Sequence, residues 1–127
     1  IIAQRLVRKL CPHCIESYQA EKPQNDIIKY MLKDIGIAGA IAKKESYTLY
    51  RSHGCEVCGM TGYKWRIGIY EVMHFSEDLR KLIRAGASPK EIVEKGREND
   101  LILMREDGIL KAMRGKTSLE ELFRVIE

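Results

Sequence analysis

Cys11-Pro12-His13-Cys14 and Cys55-Glu56-Val57-Cys58 are the two stretches on which the reading of this 127-residue chain turns, and together they use all four of its cysteines. Two residues between cysteines let a tight turn aim both sulfurs at one point. Two such turns fill the four positions of a tetrahedral zinc site and leave none for a catalytic water. Cys11, Cys14, Cys55 and Cys58 are therefore the candidate metal ligands, and zinc in a structural role is the candidate cofactor. Coordinated thiols are deprotonated, so four of them around one divalent ion leave an excess of negative charge. Arg8, Lys9, Arg51, His53 and Lys64 flank the knuckles and are the expected compensating donors. His13 and His53 are expected outside the ligand shell, which four sulfurs already complete.

Two other chemistries use the same spacing. A thioredoxin-like redox loop needs a preceding strand and a following helix. Here the stretch before Cys11 reads as an amphipathic helix and the one after Cys14 as polar and proline-containing. A disulfide pair is the second alternative, yet paired C-x-x-C units in a reducing compartment read more naturally as metal ligands.

Composition places the chain among ordinary soluble proteins, with 45% hydrophobic and 31% charged residues. No apolar run approaches the roughly 20 residues that cross a bilayer, and Ile1-Ile2-Ala3-Gln4-Arg5 lacks the layout of a signal peptide. The cytosol is the expected location. The chain begins without methionine, in what reads as the middle of a helix, and is expected to be a piece of a longer polypeptide. The whole net charge of +4 lies in Ile1 to Phe75, with 11 basic and 7 acidic residues. That excess suits the balancing of four thiolates. Nucleic acid is not the expected partner, because no aromatics interleave with the charges as a stacking platform requires.

Ile2, Leu6 and Leu10 stand at helical spacing, so Ile2 to Leu10 is expected to form the last turns of a helix that Pro12 stops. Ile15 to Gln24 is turn-like. Asn25 or Asp26 is expected to cap a helix carrying Ile27, Ile28, Met31 and Leu32, with Gly36 and Gly39 marking its end and a connector. Ser46 to Arg51 alternates as a strand, Gly54 permits a sharp turn, and Gly59 and Gly62 free the backbone to aim amides at the sulfurs. Tyr63 to His74 is a second strand, apolar on both faces and so expected to be covered on both. Helices follow: one capped by Ser76, one opened by the Ser88-Pro89-Lys90-Glu91 capping box, one from near Leu101 to Arg114, and one opened by Ser118-Leu119-Glu120-Glu121. The expected fold class is α+β, mainly helical: a small zinc-stapled β/knuckle module, residues 11–62, followed by a strand and a helical C-terminal subdomain, residues 63–127.

No phosphate loop, H-E-x-x-H, nucleophile elbow or paired carboxylates appear, so no catalytic residue is assigned. Ala3 to Cys14, Gly54 to Val72, Arg105-Glu106-Asp107-Gly108 and Thr117-Ser118-Leu119-Glu120-Glu121, in that order, resemble the C-terminal part of the type II secretion and type IV pilus assembly ATPases, the GspE/PilB group. The resemblance implies a noncatalytic part of a hexameric RecA-like motor that couples ATP hydrolysis, with ATP and Mg bound elsewhere, to pseudopilus or pilus assembly. It implies partners in the other subunits and in inner-membrane platform proteins, and a cytoplasmic location at the inner membrane. Residues 1–10 would then be the end of the upstream ATPase core. Arg66 holds the place of an arginine that lies near adenine in similar ATPases, which implies a nucleotide contact. A pairing of Arg66 with Glu71 or another carboxylate within the module is the competing reading, and Trp65 departs from the family, which usually has glycine there. A zinc-ribbon nucleic-acid binder and a chaperone-like zinc module are the alternatives to the whole reading.

Overall fold

The computed structural model describes residues 1–35 and 46–126. The fold is α+β, with four strands in two small sheets and five helices among the described residues. β1 (Ile2–Leu10) runs into the first knuckle and β2 (Ile15–Gln19) leaves it; β3 (Thr48–Ser52) runs into the second and β4 (Tyr63–Val72) leaves it. β1 pairs antiparallel with β4, from Ile2 opposite Val72 to Leu10 opposite Tyr63, and β2 pairs antiparallel with β3, from Ile15 opposite Ser52 to Gln19 opposite Thr48. The chain therefore makes two interrupted strands that pair on both sides of their interruptions. The cysteines are the interruptions.

Ile2 to Leu10 is a strand and not the expected helix. A spacing of four satisfies a period of two as well as one of 3.6, so Ile2 and Leu6 share a strand face as readily as a helix face. That face is the exposed one: Ile2 and Leu6 are open to solvent, whereas Val7 on the opposite face is fully buried with Ile69 of β4. The register shift between Arg8 and Leu10 then turns Leu10 inward. Ile15 to Gln19 also departs from its turn-like reading, because pairing with β3 overrides weak local preference.

α1 (Lys22–Leu32) starts earlier than expected. Glu21 caps it and Pro23 is accommodated in its first turn, where a missing N–H costs no helical bond. Asn25 is not a cap; its side chain donates to Ala20 O (3.2 Å) and accepts from Tyr47 N (3.0 Å), tying α1 to the entry of β3. The expected roles of Gly36 and Gly39 lie outside the described residues.

β4 is covered on one face only. Tyr70, Val72 and Trp65 are exposed while Ile69 is buried, because helices pack on one side of the two-stranded β1–β4 ribbon. α2 (Glu77–Arg84) and α3 (Pro89–Arg97) begin as read, with Leu79 N donating to Ser76 Oγ, and Ser88 and Glu91 in a reciprocal capping box. α4 (Met104–Met113) and α5 (Leu119–Ile126) carry Ile109, Ala112, Leu119 and Leu122 into one core with Val7, Ile69, Ile28, Leu32, Tyr47 and Leu49. That core draws on strands and helices from both sides of the knuckles, so the thiol cluster is anchored to the helical part by packing as well as by chain connection.

Two buried carboxylates fasten the helices. Glu106 takes both terminal guanidinium nitrogens of Arg97 (2.6 and 2.9 Å) and the amide of Leu103 (2.7 Å); Arg105 beside it is exposed. Glu121, read as the reciprocal residue of a capping box, spends its carboxylate elsewhere. It accepts from Arg8 N (3.2 Å), Arg8 Nε (3.0 Å), Arg8 Nη2 (2.8 Å) and two nitrogens of Arg124. Burial pushes its pKa up, but the Arg124 and Arg8 donors outweigh burial and hold it at about 2. A folded-state pKa below the ordinary value stabilises the fold above about pH 4.3, a contribution lost as pH falls toward 2. Glu121→Gln is expected to lower unfolding free energy at neutral pH by about 1–3 kcal/mol, read from the denaturation midpoint. The deficit should shrink as pH falls through that window; a pH-independent deficit would contradict the pairing.

Candidate metal centre

The four Sγ atoms of Cys11, Cys14, Cys55 and Cys58 lie within 4.8 Å of one another. Cys11 to Cys55 is 3.8 Å, Cys14 to Cys58 is 3.9 Å and Cys55 to Cys58 is 3.8 Å. A Zn–S bond of about 2.3 Å puts the corners of a regular tetrahedron about 3.8 Å apart. Three of the six sulfur–sulfur separations therefore sit at the edge length of a tetrathiolate site, and none exceeds 4.8 Å. These separations are far beyond the roughly 2.05 Å of a disulfide, and all four cysteines are free.

Local backbone conformation produces this arrangement. Cys55 opens a single 3₁₀ turn, Glu56–Cys58, which ends at Gly59 with φ +63°. Cys55 N and Gly62 N both donate to Cys58 Sγ at 3.2 Å, so the amides reach the sulfur as the glycines suggested. Cys11 is fixed at both ends of its peptide unit, its N–H donating to Gly62 O (2.9 Å) and its carbonyl accepting from Ser52 Oγ (3.2 Å). Gly54 takes φ +97°, and a Cβ there would stand 2.7 Å from Met60 O; at Gly62, φ +82°, it would stand 2.6 Å from Ser52 O.

Four of the five expected compensating side chains are engaged elsewhere. Arg8 pairs with Glu121 and stacks on Tyr63 (4.2 Å), Arg51 pairs with Glu16, His53 Nδ1 contacts Gly54 O (2.9 Å), and Lys64 lies over the Trp65 ring (5.0 Å). Lys9 makes no polar side-chain contact among the described residues. Main-chain amides are the donors to sulfur, because the tight turns bring N–H groups nearer than long flexible side chains reach. Before any ion is counted, burial pushes the Cys14 thiol up to about 11. Burial also pushes Cys58 up, but the amides of Cys55 and Gly62 with the thiols of Cys55 and Cys14 bring it down to about 6. One sulfur of the cluster is thus prepared to be a thiolate, the form a metal requires.

The redox-loop reading loses its helix. Cys11-Pro12-His13-Cys14 is flanked by strands on both sides, so although the preceding strand is present, no helix N-terminus follows to activate a thiol. His13 is exposed, as is His53. Arg66 stands on β4 opposite Arg8, exposed, and has no ion-pair partner among the described residues; Glu71 instead accepts from Met104 N (3.1 Å). Trp65 is 65% exposed with φ +65°, a conformation costly for a bulky residue. Ser52, which buttresses Cys11, had no signal in the sequence beyond its place in a strand.

Four thiols gathered this closely form a cluster that could hold one metal ion. The chain belongs to the family described as "Type II/IV secretion system protein", whose model matches residues 1–124. It is 40% identical over 129 residues to the type IV pilus assembly ATPase PilB of Thermus thermophilus, covering 100% of this chain and 13% of that protein. It is 38% identical over 125 residues to the type II secretion system ATPase E of Vibrio cholerae, covering 98% of the chain and 22% of that protein. Against the type IV pilus assembly ATPase PilB of Pseudomonas aeruginosa the figures are 39%, 98% and 20%. The chain thus spans at most about a fifth of the length of these relatives.

Gly62→Ala is expected to weaken metal binding measurably in a chelator competition and to cost about 1–3 kcal/mol of stability through its strained φ and its clash with Ser52. Gly59→Ala, with nothing within 4 Å of the added Cβ, should cost no more than about 1–2 kcal/mol and leave affinity unchanged. Equal effects on affinity at the two positions would contradict this account of the turn.

Proposed function

We propose that the chain is the zinc-binding, noncatalytic C-terminal part of a hexameric ATPase that drives pseudopilus or pilus assembly. The observation that carries the reading is the gathering of four sulfurs within 4.8 Å, three of their separations at the edge length of a zinc tetrathiolate, in a chain whose relatives bear the names of secretion and pilus assembly ATPases. Zinc clamps the two interrupted strands and so fixes the position of β4, the helices behind it and the surfaces they offer to other subunits and to platform proteins. ATP and Mg belong to the motor core of the whole protein, which works at the cytoplasmic face of the inner membrane. No helix of the described residues is long and apolar enough to cross a membrane. Arg66 is the residue of this chain assigned to the nucleotide: an exposed guanidinium without an ion-pair partner among the described residues is free to stack on a base.

The isolated chain is expected to contain one zinc and to hydrolyse no ATP. Metal analysis and a phosphate-release assay read the two points; steady turnover by the chain, or folding without metal, would overturn the reading. In the full-length protein Arg66→Ala should raise the KM for ATP, and an unchanged KM would remove Arg66 from the nucleotide site.

A further inference from the structure

The two knuckles are unequal. Cys11 and Cys14 are buried, at 0% and 4% exposure, whereas Cys55 and Cys58 are half-buried on a turn whose other residues, Glu56, Val57, Gly59 and Met60, face solvent. A small polar oxidant approaching from solvent meets the second knuckle first. The sulfurs there differ as well. Cys58 Sγ accepts amide hydrogen bonds from Cys55 N and Gly62 N at 3.2 Å, which draw electron density from it and leave Cys55 Sγ the more electron-rich nucleophile. Cys55 and Cys58 share one short turn, so closing their 3.8 Å gap moves only that turn. Cys11 is an equal 3.8 Å from Cys55, but it is held by Gly62 O and Ser52 Oγ and does not follow.

We propose that the tetrathiolate site is a peroxide-sensitive latch in which Cys55 and Cys58 close to a disulfide and release the ion, while Cys11 and Cys14 remain thiols. The proposal rests on the zinc reading above. In the first step the Cys55 thiolate attacks one oxygen of hydrogen peroxide; an S–O bond forms, the O–O bond breaks, and the departing hydroxide takes a proton to become water. In the second, the Cys58 thiolate attacks the Cys55 sulfenic sulfur; the S–S bond forms, the S–O bond breaks, and the expelled hydroxide takes a second proton from solvent to leave as water. Two thiolates lose two electrons and the two peroxide oxygens gain them. Two sulfurs then remain for the ion, too few to hold it against competing ligands. The clamp across the interrupted strands opens, and a thiol reductant with zinc resets it.

The test treats the zinc-loaded chain with hydrogen peroxide and follows zinc release with a colorimetric chelator, free thiols by titration, and disulfide position by peptide mapping. The expected result is one zinc released per chain, two thiols remaining, a disulfide in the peptide spanning Cys55 and Cys58, sulfenic acid trapped by dimedone at Cys55, and recovery on reduction with added zinc. A chain that binds zinc but keeps it under oxidation, or forms a disulfide between the knuckles, overturns the latch and leaves the zinc reading intact. A chain that binds no zinc at the outset overturns both.

Discussion

The structure depends on one geometric constraint: two strands, each broken by a C-x-x-C turn, must pair on both sides of their breaks. β1 with β4 and β2 with β3 do so in antiparallel register, and the four sulfurs fall at the crossing point. An isolated two-stranded ribbon is marginal in water. Each half here is short or one-sided, and β2 and β3 are only five residues long. Convergence of the four thiols draws two weak ribbons into one element, and the core behind it then has a wall to pack against.

That wall reaches the helical part through specific residues. Val7 and Ile69 supply the apolar side of the β1–β4 ribbon. Arg8, beside the first knuckle, reaches Glu121 at the start of α5, and Thr117 Oγ1 donates to Arg8 O at 2.9 Å. Tyr63, beside the second knuckle, bears the Arg8 guanidinium on its ring and joins Ser118 Oγ at 2.6 Å. Disturbing the thiol cluster therefore shifts the strand ends that hold α5.

The candidate site was more legible in the sequence than the fold. Paired C-x-x-C units carry their chemistry in spacing alone, and the turn glycines Gly54 and Gly62 followed from the need for positive φ beside a crowded backbone. The helix starts at Ser76 and Ser88 were legible because capping is local. Ile2 to Leu10 misread as a helix because a spacing of four fits both periods, and what decides between them is β4, sixty residues away. Ile15 to Gln19 had no local signal at all. The donors to sulfur were sought among charged side chains, yet they are amides, which every residue has and no sequence pattern marks.

Zinc K-edge X-ray absorption on the purified chain tests the central claim most directly. The account predicts a first shell of four sulfurs at about 2.3 Å and no nitrogen or oxygen ligand. A shell containing imidazole or water, or fewer than four sulfurs, would contradict it.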